Sequence, residues 1–334
     1  MNILPSNNKR KPLKYKIVDT IKYSPHPTKA TILKIKFLDP IPDYFLKDKF
    51  FVLKYYNLNS IEEIFKKQVL YGAMKEIIIN KILFDHYNKC SQNITCFFDY
   101  SFDENGIYLV GQLYDMDLFD FNKLIQKYDI ITKLKLAFPI YYNIISGLAT
   151  LDELGLIHGD IKLENIFVKI LNNNEIKVSI ADFDVSCSNY LEEIKCISFV
   201  GTYIFMDPIL IKQKLLDKSV ITNKSEYDVY STSMIVYEIL FNTINVPIEI
   251  LNLFQKINSL TSIEQDMILQ YYKQLYITIR NNINKLMKEV KTSDKLQSNE
   301  KIKYNKFLKI VKSNLNPDIM KPHPMKLFNE LKTL

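Results

Sequence analysis

Strand-like and helix-like segments are segregated along this chain, and that order limits the folds open to it more than any other feature. Residues 15–24 and 30–38 alternate or run apolar, and after a Pro-rich connection at 39–49 the stretch FFVLKYY at 50–56 does so again. Ser60 with Glu63 forms an S-x-x-E capping signature, and helical spacing continues to residue 88, with Gly72 as a break point. Two more strands are expected at 95–102 and, after the turn DENG, at 107–114. Beyond that the pattern turns helical, at 117–127, 132–154, 226–241, 246–257, 262–290 and 300–314. Short strands bracket a hairpin turn at Asn172–Asn174, and an irregular segment runs to Pro208. Sheet first and helix second predicts an α+β protein with two lobes, five strands and one long helix in the smaller.

Such a fold needs a sizeable core, and 334 residues at 47% apolar and 24% charged supply one without disulfides or metals. Cys90, Cys96, Cys187 and Cys196 lack zinc-finger spacing and are too few for a disulfide framework, so they are expected as thiols in a reducing compartment. The N-terminus MNILPSNNKRKPLKYK has no apolar core or cleavage site, and the apolar stretch from Val229 to Phe254 is interrupted by Glu238, Asn242, Asn245, Pro247 and Glu249. A bilayer span needs roughly 20 apolar residues in succession. An intracellular, soluble placement is therefore expected, cytoplasmic or host-cytoplasmic if the source is a virus or intracellular pathogen. The net charge of +7 gathers between Lys9 and Lys36 and between Lys285 and Lys312, surfaces that attract phospholipid or another polyanion. Aromatic-interleaved stacking patterns are absent, so no specific nucleic acid is predicted.

One stretch carries chemistry. In HGDIKLEN, His158–Asn165, the residues Asp160, Lys162 and Asn165 lie on a loop leaving a long apolar helix, and Asp182 ends the strand VSIAD some way on. A loop carboxylate accepts a proton from an attacking hydroxyl. Asn and a second Asp are hard oxygen ligands suited to magnesium that also holds phosphate. A nearby lysine neutralises charge on a transferring group. These are the parts of in-line phosphoryl transfer.

At this point the chain resembles the eukaryotic-type protein kinase family, in its Ser/Thr form. HGDIKLEN is similar to that family's catalytic loop, DFD at 182–184 to its metal-binding signature, and FVLK ending at Lys54 to its strand-three lysine element. GTYIFMDP at 201–208 resembles the end of the activation segment, and SEYDVYSTSMIVYEIL at 225–240 the buried helix that anchors the catalytic loop. The resemblance implies a kinase-like domain over 13–334 after a basic tail at 1–12. Its N-lobe would span 13–114, its hinge 112–115, and its C-lobe 116–334, expanded at 255–312. It implies Asp160 as catalytic base, Lys162 at the γ-phosphate, and Asn165 with Asp182 as metal ligands. Lys54 would contact the α- and β-phosphates of ATP, held by Glu76, for which Glu62 and Glu63 compete. Gln112, Leu113 and Tyr114 would form the adenine hinge beside a gatekeeper Gly111 that leaves an open back pocket. His158, Phe183 and Asp228 would be structural: a spine histidine, its phenylalanine, and a buried anchor. ATP with Mg or Mn is the implied cofactor set, and a protein hydroxyl the implied substrate.

The chain also departs from the family. The stretch IKYSPHPTKAT at 21–31 holds no glycine where the family has a Gly-rich phosphate loop, and Pro25 and Pro27 remove N–H donors. Lys22 and Lys29 are the candidates to replace those donors. Gly159 stands in place of an arginine and Asp184 in place of the DFG glycine, where its carboxylate adds to the metal site. Asn80 occupies a normally apolar spine position. Ile209 and Lys321 replace a buried Glu–Arg pair, a joint change that avoids an orphaned charge. Three functions fit these residues: a Ser/Thr protein kinase, a pseudokinase scaffold, or a small-molecule kinase.

Overall fold

The computed structural model describes residues 2–4, 11–22, 30–39, 50–87, 93–171, 175–196, 201–216, 224–242 and 244–334. The chain divides into two compact units, one of Met1–Asp115 with Ala181–Asp184, the other of Met116–Ile180 with Val185–Leu334.

The first unit is built on a six-stranded antiparallel sheet: β1 (Asn2–Leu4), β2 (Leu13–Lys22), β3 (Thr31–Phe37), β4 (Phe51–Asn57), β5 (Phe97–Phe102) and β6 (Gly106–Gln112), in the order β1-β2-β3-β4-β6-β5. The expected five strands are all present, and β1 adds an edge strand inside the segment expected as a basic tail, pairing Asn2–Leu4 with Leu13–Tyr15. Period-two alternation gives the sheet two apolar faces. Leu33, Ile35, Phe37, Phe51, Leu53 and Val110 fill one. Tyr56, Ile107 and Leu109 on the other pack with Val69, Ala73 and Ile77 of helix α1 (Glu63–Tyr87). That helix starts at Glu63, after a 3-10 turn at Leu58–Ser60; the Ser60 side chain expected as its cap lies outside the described residues. So does the glycine-free stretch between β2 and β3, apart from its ends.

The second unit is mostly helical. Its helices are α2 (Leu118–Ile125), α3 (Ile130–Glu153), α4 (Pro208–Leu215), α5 (Ser225–Phe241), α6 (Ile248–Gln255), α7 (Ser262–Thr292), α8 (Ser298–Asn314) and α9 (Pro324–Leu331). Helices α4 and α9 fall where no helix was expected, α4 starting at the Pro208 that ends the irregular segment. The central α3 packs against α5 and α9. It is long and apolar enough to cross a bilayer, yet more than half of its apolar window is buried in protein. In α5, which is buried nearly all round, Thr232 and Ser233 return their hydroxyls to the Asp228 and Val229 carbonyls, so a polar run survives in the core. The pair α7–α8, where the expansion was expected, forms a hairpin whose helices both start in capping boxes, at Thr261–Glu264 and Gln297–Glu300. Small ladders complete the unit. Strands β9 (Ile166–Ile170) and β10 (Ile176–Ile180) form the expected hairpin, whose turn residues are not described, with β7 (Met116–Asp117) beside β9. A two-stranded ladder joins β8 (Leu156–Ile157) to β11 (Cys187–Ser188).

One expectation is overturned here. Cys187 and Cys196 form a disulfide, with Cα atoms 5.0 Å apart, and Cys96 is disulfide-bonded too. Spacing along the chain carries no signal of such a pair; the turn that follows β11 brings the two residues together.

Candidate active site

Alternation along β4 decides where its lysine goes. Phe51 and Leu53 face one side of the sheet, so Lys54 and Tyr56 face α1. Glu76 rises from the apolar stripe of that helix with no exposed surface. The Lys54 Nζ lies 2.7 Å from Glu76 Oε1 and 2.8 Å from Asp182 Oδ1. Burial alone would pull the ammonium down; the Asp182 and Glu76 carboxylates overcome it and hold Lys54 well above the usual lysine range. Burial pushes the Glu76 carboxyl up against the pull of Lys54. Two further donors reach Glu76: the Tyr56 hydroxyl at 3.3 Å and the Phe183 backbone N–H at 3.3 Å. The competitor Glu63 is instead paired with Lys66 on the surface.

Asp182 holds φ +68°, a left-handed conformation that Asp tolerates better than most residues. Its side chain keeps 39% exposure, against none for Glu76. Asp184 sits over Gly72 of α1, where a Cβ on the glycine would meet the Asp184 Cβ at 3.4 Å. Its charge reaches Lys75 and Glu76 of the same helix.

Gly111 does not open the back pocket expected of it. A Cβ there would stand 2.7 Å from the Cys96 carbonyl and 2.9 Å from the Phe97 ring, because the β5 bulge between Phe97 and Asp99 presses into that space. Asn80, at the normally apolar position, is satisfied: it donates to the Glu76 carbonyl and accepts from the Phe97 N–H. Gln112, Leu113 and Tyr114 leave the sheet at the end of β6, each half-buried.

In the second unit, β8 delivers the loop that begins at His158. Both oxygens of the buried Asp228 are engaged by backbone N–H groups of that loop, Oδ2 by His158 at 2.9 Å and Oδ1 by Gly159 at 3.0 Å. Burial pushes the Asp228 carboxyl up to about 6, and His158 and the two N–H bonds pull the other way. Gly159 holds φ +81°, a conformation that glycine adopts without strain. His158 is fully buried, and its Nδ1 accepts from the Asp160 N–H, so the imidazole is a packing and orienting group.

Four donors then converge on Asp160. Thr202 gives its N–H and its hydroxyl to Oδ1, both at 2.8 Å. Lys162 and the Asn165 carboxamide, the latter at 3.1 Å, reach Oδ2. Lys162 also donates to the Thr202 hydroxyl at 3.1 Å. The Asn165 nitrogen is spent on Asp160, leaving its oxygen as the amide's acceptor end. Carboxylate and carboxamide oxygens are hard donors, and no cluster of three or more His, Cys, Asp or Glu side chains suited to a metal exists among the described residues. Oxygen donors of this kind suit magnesium, an ion that keeps water and phosphate oxygens in its shell.

Sequence reasoning singled out Lys54, Glu76 and Asp182, which meet in the first unit, and Asp160, Lys162 and Asn165, which meet in the second with Asp228 holding their loop. It missed Asp207. Lys321 Nζ lies 3.1 Å from Asp207 Oδ2, both side chains fully buried, so the charge at 321 has a partner two residues before Ile209. Asp207 also caps α4 by accepting from the Ile209 N–H, a cue visible in the run Asp-Pro before an apolar turn.

The protein kinase domain family matches residues 46–319. A protein of Acanthamoeba polyphaga mimivirus named as a serine/threonine-protein kinase is 28% identical over 255 residues, 70% of this chain and 38% of its own length. The serine/threonine/tyrosine-protein kinase HT1 of Arabidopsis thaliana is 34% identical over 111 residues, 33% of this chain and 24% of that protein. The serine/threonine-protein kinase CLA4 of Candida albicans is 29% identical over 169 residues, 50% of this chain and 16% of that protein. The chain thus spans well under half the length of these relatives. With the match reaching from β4 to the segment after α8, and with the loop carboxylate and the lysine–glutamate pair in place, the chain belongs to the eukaryotic-type protein kinase family.

Proposed function

We propose that this chain is a Ser/Thr-type protein kinase that transfers the γ-phosphoryl group of ATP, with Mg or Mn, to a protein hydroxyl. The observation that carries the reading is the convergence of Lys162, Asn165 and Thr202 on Asp160. In this reading Asp160 accepts the proton of the attacking hydroxyl. Lys162 neutralises charge on the transferring group, while Thr202 fixes the carboxylate from its other side. Lys54, held by Glu76, grips the α- and β-phosphates. Asn165 and Asp182 would hold the metal, which when bound supplies charge neutralisation to the phosphates. Gln112, Leu113 and Tyr114 would receive the adenine. Exposed lysines on the α7–α8 hairpin, Lys285, Lys288, Lys306 and Lys309, would offer a surface to a phospholipid or other polyanion.

Two observations favour a second reading, a pseudokinase that binds partners. The stretch 21–31 supplies no glycine to cradle phosphate. Asp184 stands where the family's metal-binding signature has a glycine.

Nucleotide binding and autophosphorylation with magnesium or manganese distinguish the two. The expected result is measurable transfer that falls by about 10²–10⁴-fold in Asp160→Ala, with Asp182→Ala losing metal-dependent nucleotide binding. Transfer unchanged in both variants defeats the mechanism, and wild-type protein that binds no nucleotide leaves the scaffold.

A further inference from the structure

The segment that brings Thr202 to Asp160 is covalently tied at its start. Cys187 lies on β11, paired in register with Ile157 of β8, the strand that enters the loop of Asp160. One residue earlier, the Ser186 hydroxyl donates to the His158 carbonyl at 2.9 Å. From there the chain makes a tight excursion. Ser188 Oγ accepts from the N–H groups of Tyr190 and Leu191, a 3-10 turn follows at Glu192–Ile194, and Ile194 is fully buried. The Cys196 N–H returns to the Ser188 carbonyl at 3.2 Å, and the disulfide closes the excursion. A few residues later Thr202 engages Asp160.

We propose that Cys187–Cys196 is a redox-modification site, reduced by dithiols, that sets how firmly Thr202 is held on Asp160. A disulfide with one partner open to solvent is of the kind that thiols reach and reduce. Its two residues differ in exposure: Cys187 is 6% exposed, whereas Cys196 is half-buried. A thiolate from the dithiol therefore attacks Cys196 Sγ, and the bond to Cys187 breaks, Cys187 leaving as a thiolate that takes a proton. The reagent's second thiol then resolves the mixed disulfide and releases Cys196; the protein gains two electrons and two protons, and the dithiol becomes a disulfide. The position of the bond links it to the site. Five residues, 197–201, separate the closed bond from Thr202 along the sequence; with the bond open, fourteen, 188–201, separate Cys187 from it. Loop-closure statistics scale with length to the three-halves power, so Thr202 loses up to about fivefold in local concentration at Asp160.

The catalytic consequence rests on the phosphotransfer reading; the structural one does not. The test uses the full chain, purified without reductant. Alkylation and mass spectrometry should recover residues 187 and 196 cross-linked, and dithiothreitol should separate them. Amide exchange at Thr202 should then rise by up to about fivefold, and autophosphorylation should fall in step. Cys96 is disulfide-bonded as well, so Cys196→Ser, which spares it, isolates the effect. It should match the reduced wild type before any reductant is added. Free thiols at both positions in the unreduced protein overturn the proposal, as does Thr202 exchange that neither reductant nor Cys196→Ser alters. Exchange that shifts in a protein showing no phosphotransfer in either form supports the site and sinks the kinase reading instead.

Discussion

Lys321 and Asp207 show how a charge pair can be buried at a position the sequence exposes only by half. Each is fully buried; burial pushes the carboxyl up and the ammonium down, and each partner opposes the shift of the other. Lys321 also donates to the Asn316 and Ile319 carbonyls. Lys321→Met should cost about 3–5 kcal/mol in urea denaturation, because Asp207 is left buried and uncompensated. Adding Asp207→Asn should recover a large part of the loss, and a strictly additive double variant would contradict the pairing. Asp228 makes the opposite case, a buried carboxylate held by N–H groups. Its pKa of about 6 in the fold lies above the ordinary Asp value, so the folded state binds the extra proton between about pH 4 and 6. This group's contribution is therefore favourable at low pH and is lost as pH rises through 6, by at most about 3 kcal/mol. Stability measured from pH 4 to 7 should show this fall in the wild type and a flatter profile in Asp228→Asn. Residue type and order revealed Asp160, Lys162, Asn165 and Asp228 because their chemistry is local. Asp207 stayed hidden, since reaching Lys321 from two residues before Ile209 depends on how α4 is capped.

Helices and strands were legible in proportion to their periodicity. Strands β3, β4, β5 and β6 and helices α3, α5 and α7 fall within a few residues of their expected bounds. Strand β1 is three residues long and α4 and α9 are eight each, too short for a pattern to stand out. The expected break at Gly72 does not occur, because α1 continues through it to Tyr87. This sets two glycines against each other. Gly72→Ala places its Cβ at ordinary contact distance from Asp184 and gains helix propensity, so it should stabilise by about 0.5–1 kcal/mol. Gly111→Ala drives its Cβ against the Cys96 carbonyl and the Phe97 ring, so it should destabilise by about 1–3 kcal/mol. Thermal denaturation of both variants checks the signs, and two shifts in the same direction would refute the contrast. No sequence pattern distinguishes these glycines; the difference lies in the β5 bulge pressed against one and the ordinary contact distance to Asp184 at the other.

At the scale of the molecule, the order of sheet and helix and the two polar motifs already implied a bilobal kinase-like chain. The cysteine pair was not implied, because disulfide partners are chosen by the path of the turn after β11. Nor does the order of elements imply the boundary of the first unit, which takes Ala181–Asp184 from deep within the sequence of the second. Those four residues bring Asp182 to Lys54 and the Phe183 N–H to Glu76. A fragment ending at residue 115 would thus contain every strand of the sheet and all of α1, yet be missing a piece of its own interior. Its ammonium at 54 would face one carboxylate where the intact chain gives it two, and the glutamate would lose a backbone donor. The small lobe is consequently not a transplantable module, and its completion must wait until the ribosome has passed residue 184.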